Sequence, residues 1–159
     1  MSGVVHMCIH CGELLRTDPQ IRAHLETIHG MARALLFRPG EEPVEKMVDG
    51  FEGIVRALDG ATVERVVLIS RPDGAFGVQL WCDEDGIGKG LPLNVLIPAE
   101  NDSNPNNGTP IVGPAVVCGF RRVRVGTEDE DEEERSLTDA EVRAFRLLPR
   151  FGKPGRPKP

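Results

Sequence analysis

Two cysteines and two histidines near the start of the chain have the types and spacing to do chemistry. Counted from Cys8 to His29, the pattern is C-x2-C-x12-H-x4-H, with Cys11 and His24 as the inner pair. Zinc prefers four tetrahedral nitrogen and sulfur ligands, and this is a known ligand spacing. The pattern predicts one bound Zn2+ held by Cys8, Cys11, His24 and His29. With all four positions filled by protein such a site is closed, which makes it structural, because a catalytic zinc keeps a position open.

The elements around these residues must bring them to one point. Cys8 and Cys11 suit a hairpin knuckle, with Gly12 easing the turn. His24 and His29 fall on consecutive turns of a helix, so both imidazoles can face the same ion. Asp18 followed by Pro19 reads as an N-cap with a first-turn proline, and Gly30 as the stop. A segment of about 25 residues cannot bury enough surface to fold alone. Zinc binding, on the order of 10–16 kcal/mol in such peptides, supplies the missing stability. His6 and His10 are the competing imidazoles.

Residues 6–30 resemble the zinc-finger family with two Cys and two His ligands. The resemblance implies a ββα fold with Leu15 and Ile21 as a tiny core. The chain departs from the family at His6, where an aromatic is usual, and at Leu15, where Phe is usual. The family's base-reading positions fall on Thr17, Gln20 and Ala23. Only Gln20 suits a base, adenine. Arg16 and Arg22 stand against Glu13, Asp18 and Glu26, so the finger lacks a cationic surplus for phosphates.

The rest of the chain reads as α+β: a small mixed or antiparallel sheet with one or two helices, spanning 33–125. Hydrophobic residues are 40% and aromatics 4%, so the core must be Val, Leu, Ile and Ala. ARALLFRP and VEKMV suggest two paired strands. In FEGIVRALDG, Phe51, Ile54, Val55 and Leu58 fall on one helix face. VERVVLIS, the turn RPDGA and FGVQLWC read as a hairpin. LPLNVLIP follows, then an Asn-rich segment expected to be a mobile loop over 99–110, then PIVGPAVVCGF as a last strand. GTEDEDEEER at 126–135 reads as a solvated acidic linker. Over 136–149, Thr138 and Glu141 form a capping box for a helix that docks through Val142, Phe145 and Leu148.

Residues 33–148 resemble a domain family of bacteria, phages and plasmids known as a domain of unknown function. ALLFRPGEEP, FEGIVRALDG, VERVVLIS, CDEDGIGKGLPLN, IVGPAVVCG and SLTDAEVRAF carry the resemblance. It implies only a small α+β fold and a mobile-element origin, and it brings no known activity with it.

The acidic turn Asp83-Glu84-Asp85-Gly86 lacks the ligand number and spacing of a calcium loop and reads as a solvated tip. Asn94 reads as a turn cap or as a residue lining a pocket. Cys82 and Cys118 read as small buried hydrophobes. With no Tyr, no His after position 29 and no Ser-His or Cys-His pairing in the domain, a non-enzyme is expected.

Residues 150–159 read as a disordered basic tail. Its end, KPGRPKP, resembles an AT-hook, which implies that Arg156, flanked by Lys153 and Lys158, enters A·T-rich minor grooves. Net charge is −6, which argues against a general nucleic-acid coat. No run approaches the roughly 18 apolar residues of a membrane span. The start lacks a basic region followed by a long apolar run, and an intracellular, cytoplasmic setting is expected. The sequence therefore suggests a zinc-binding accessory or regulatory protein of phage type that contacts nucleic acid through tail and finger. The alternative is a module that binds a host or phage protein.

Overall fold

The computed structural model describes residues 6–9, 11–71, 76–97, 110–125 and 129–151. The described chain is mixed α+β with three helices and mostly antiparallel strands. It opens with a short hairpin, β1 (His6–Met7) and β2 (Leu14–Leu15), followed by helix α1 (Asp18–Ile28). Only residues 29–31 separate that helix from the main sheet, where Met31 N donates to Leu25 O at 3.0 Å.

The main sheet contains β3 (Ala32–Phe37), β4 (Val44–Val48), β5 (Val63–Ser70), β6 (Phe76–Asp83), β9 (Ala115–Val125) and β10 (Asp129–Arg135). Its order is β4-β3-β9-β6-β5, and β10 also pairs with β9. Between them lie α2 (Gly50–Ala57) and a separate two-stranded pair, β7 (Leu93–Leu96) with β8 (Pro110–Val112). Helix α3 (Asp139–Phe145) closes the fold.

Both faces of the sheet are covered, which explains why every residue of β3 is buried and why ARALLF reads as one nearly continuous apolar run. On one face Leu35, Phe37, Leu80 and Val117 pack under Val95 and Ile111 of the small hairpin and Val142 of α3. On the other, Ala34, Leu36, Val116 and Cys118 pack under Ile54, Ala57 and Leu58 from α2 and its end. Each fully buried aliphatic side chain contributes about 1.5–3 kcal/mol. Phe51, expected on the packed face of α2, is 49% exposed and meets Trp81 edge-on at 5.5 Å instead.

Three expectations change. The segment 110–120 is two strands, broken where Gly113 takes φ +73 before Pro114. Its second half, β9, lies in the middle of the sheet, joining β3 to β6. The acidic run is not a linker from residue 129 onward. It forms β10, in register with the arginines of β9: Glu132 opposite Arg122 and Glu133 opposite Arg121. Arg121 donates to Glu133, and Arg65 of the edge strand β5 reaches Glu132. Composition alone hides this, because opposite charges set directly across a ladder stabilise it. The basic tail was expected to start at 150, yet Arg150 bridges to Val95 and donates to Glu41 O at 2.9 Å. The loop expected at 99–110 lies outside the described residues apart from Pro110.

No described helix is long and apolar enough to cross a membrane.

Candidate metal centre

The hairpin knuckle is built by backbone bonds. Cys8 N donates to Glu13 O and Gly12 N to Cys8 O, each at 2.8 Å. Gly12 sits at φ +80, a conformation that side chains resist. The turn thereby carries Cys8 and Cys11 on one side of the hairpin. Helix α1 begins one residue earlier than expected. Thr17 is its N-cap, accepting from Gln20 N, while Gln20 Oε1 accepts from Thr17 N at 3.1 Å. Asp18 becomes the first-turn acid, which favours the positive helix end. The helix carries His24 and ends at His29, its C-cap, with Gly30 at φ +64 turning the chain away.

These elements bring the four side chains to one point. One ligand atom from each of Cys8, Cys11, His24 and His29 lies within 4.8 Å of all the others. His29 Nε2 is 3.1 Å from His24 Nε2, Cys11 Sγ is 3.2 Å from His24 Nε2, and Cys8 Sγ is 3.5 Å from His29 Nε2. Bonds of about 2.3 Å to sulfur and 2.0–2.1 Å to nitrogen around a tetrahedral ion put neighbouring ligand atoms about 3.3–3.8 Å apart. These three pairs are at metal-site dimensions, within a few tenths of an ångström, and the donor set fits a metal ion. Cys8 and His24 are buried, Cys11 is exposed, and His29 lies between. None of the cysteines is in a disulfide.

A carboxylate completes the arrangement. Glu13 Oε2 stands 3.1 Å from His24 Nδ1. A proton on Nδ1 would satisfy that contact and would leave the Nε2 lone pair facing the cluster. Leu15 is buried beneath the hairpin and Ile21 is half-buried on the helix, the two positions expected to form the small core.

The other expected residues fare differently. Gln20 uses Oε1 on two backbone amides, those of Arg16 and Thr17, so the oxygen that a bidentate adenine contact needs is already engaged. Lys153, Arg156 and Lys158 lie outside the described residues, as does His10. In the acidic turn, Asp83 is buried, accepts from Asp85 N and pairs with Lys89 Nζ at 2.8 Å. The Lys89 hydrogen bond holds the Asp83 carboxyl below the usual carboxylate range. Asn94 is buried and donates to Phe37 O and Gly113 O, tying the small hairpin to the sheet. Burial pushes both the Cys82 and the Cys118 thiol up to about 12, so neither supplies a thiolate at neutral pH. Sequence reasoning missed Glu13 as a partner of the centre. Its position two residues after Cys11 was visible, but only the hairpin register shows that it faces His24.

Residues 31–150 match the model of the family described as Domain of unknown function (DUF3846). The chain belongs to the DUF3846 family. The matched segment begins just after the metal cluster and contains the whole main sheet and all of α2 and α3. Comparison with curated proteins and with solved structures returned no match.

Proposed function

We propose that the chain is a zinc-binding, non-enzymatic accessory protein that acts by binding a partner. One observation carries this reading: four protein ligands of zinc type converge on one point, the number that fills a tetrahedral ion. A closed tetrahedral site supplies folding free energy rather than catalysis. The hairpin, helix and cluster together correspond to a ββα zinc finger, with Zn2+ as the resident ion. A phage or mobile-element origin and a cytoplasmic site of action belong to the same reading, through the resemblance and the cysteine usage.

The surface favours a protein partner. On the finger, Met7, Ile9, Leu14 and Ile28 are each more than half exposed. Met7 and Leu14 are cross-strand neighbours, so they present one apolar spot on the outside of the hairpin. Contiguous exposed apolar side chains mark protein contacts rather than phosphate contacts. Nucleic acid is the second reading, and the run of cations from Arg143 to Lys158 without an acid favours it. Two of those cations are already engaged within the molecule: Arg146 donates to Pro43 O and Arg150 pairs with Glu42.

Metal analysis of the purified protein should give about one zinc per chain, and Cys8→Ser should remove it. Full zinc content in that variant would sink the metal reading. Capture from host lysate with and without nuclease separates the partners. Material that survives nuclease but is lost on Leu14→Asp supports the protein reading. Material lost to nuclease, and lost again when residues 152–159 are deleted, supports the nucleic-acid reading.

A further inference from the structure

The contact between Glu13 and His24 has no counterpart in the ligand motif itself, and its geometry is specific. Glu13 sits on the hairpin, between Gly12 and the start of β2, while His24 sits on the helix, 11 positions later in sequence. The His24 side chain is only 5% exposed, whereas that of Glu13 is 58% exposed. The imidazole has been taken out of water and needs a partner for its second nitrogen, and the carboxylate at 3.1 Å is that partner. The backbone oxygen of Glu13 meanwhile accepts from Cys8 N, so the residue whose carboxylate faces Nδ1 is anchored to the first cysteine of the knuckle.

We propose that Glu13 is a positioning residue for the metal centre: it holds His24 in the tautomer and orientation that direct Nε2 at the ion. This rests on the zinc reading above. The physical case is general. A ligating imidazole gains basicity and loses rotational freedom when its other N–H is held by a carboxylate, and removing such a partner weakens metal binding about 10–100-fold. Glu13 is largely solvated, which puts the expected loss at the low end of that range.

The test uses the full chain and zinc alone as the probe, with affinity read by competition against a chelator of known strength. Three variants are compared with the natural protein: Glu13→Ala, Glu13→Gln and Glu26→Gln. Glu26 is the control, because it lies on the same helix but pairs with Arg22 rather than with a ligand. Glu13→Ala should bind zinc about tenfold more weakly. Glu13→Gln should keep most of the affinity, since its amide oxygen still accepts from Nδ1–H. Glu26→Gln should match the natural protein. The His24 Nδ1 proton should give a protected imidazole signal in the zinc form of the natural protein and of Glu13→Gln, and none in Glu13→Ala. Unchanged affinity in Glu13→Ala would overturn the assignment while leaving the metal centre intact. So would an equal loss in Glu26→Gln, which would make the effect one of overall charge. If the natural protein binds no zinc, the metal reading falls and this inference falls with it.

Discussion

The segment 6–29 and the domain that follows it solve the same problem with opposite means. The first has two short strands and one helix, and of its described side chains only Cys8, Leu15 and His24 are buried. Two of those three belong to the cluster that could hold a metal ion. The domain has two apolar layers, one on each face of a six-stranded sheet, and neither layer contains a residue before Ala32. Local rules are obeyed equally in both. Helix α1 and helix α3 carry the same complete capping box, Thr17 with Gln20 and Thr138 with Glu141. What differs is what each region gathers: a cluster of two Cys and two His that could hold a metal in one, buried hydrocarbon in the other. Good local structure is therefore necessary in both regions and sufficient in neither.

The largest effect should come from taking the metal away. Structural zinc is worth on the order of 10–16 kcal/mol in finger peptides. Chelation should therefore abolish amide protection across 6–29 while residues 32–151 keep theirs, as read by hydrogen exchange. The break point would be near the Met31–Leu25 hydrogen bond, a backbone link across the junction. Loss of protection throughout the chain would show one cooperative unit and end the comparison. The converse test is a cavity in the domain. Leu35 is fully buried on β3, so Leu35→Ala should cost about 2–5 kcal/mol in the domain's unfolding transition. The zinc content of that variant should be unchanged. A domain transition that stays put would mean that the site collapses around the smaller side chain.

How much of this was legible beforehand follows the same division. The cluster was readable because ligand chemistry fixes residue types and spacing within one short segment. The α2 register through Ile54 and Leu58, the β5–β6 hairpin and the α3 cap were readable because each depends on neighbours in sequence. The strand identity of 129–135 was not. A run of acids has no strand signal of its own, and its pairing depends on Arg121 and Arg122, which the fold places across the ladder. The middle position of β9 was hidden likewise, since sheet order is set by long-range packing. Asp18 was a reasonable N-cap on composition. Thr17 takes the role because it has Gln20 three residues on, and the reciprocal bond decides between adjacent candidates.

The paired caps offer a finer comparison. Thr17→Ala and Thr138→Ala each remove one hydroxyl that accepts a backbone N–H, worth about 1 kcal/mol. In α3 that loss should appear directly in the domain's thermal transition. In α1 the same loss should appear as weaker zinc affinity, about fivefold, because finger folding and metal binding are one equilibrium. A fall in the domain transition with Thr17→Ala, of the size seen with Thr138→Ala, would show that the finger's stability is shared with the sheet.

The smallest effect lies at the junction itself. Arg33, the second residue of β3, has a side chain that is 10% exposed and is neutralised by Glu45 on β4 and Asp139 at the start of α3. Its backbone N–H donates to Ser136 Oγ at 2.8 Å, and its carbonyl accepts from Leu137 N. The hydrogen bond from Arg33 holds the Asp139 carboxyl below its ordinary value of 3.8, with the Arg33 charge reinforcing it. A carboxylate lowered in the folded state contributes stability above its unfolded pKa. That contribution is lost as pH falls through the folded value. The domain's transition temperature should thus be level near neutrality and decline below about pH 4, where model carboxylates begin to protonate. Asp139→Asn should lower the transition slightly at pH 7 and make the acid decline shallower, because one of the groups that drives it is gone. The effect should be modest, since Asp139 is 69% exposed and water screens the pair. Adding salt should shrink the difference between variant and natural protein further. If Asp139→Asn instead destabilises the domain as much as Leu35→Ala, the junction is held mainly by charge. The contrast between the segment built on the cluster of two Cys and two His and the hydrocarbon-cored domain would then need a third term at the point where they meet.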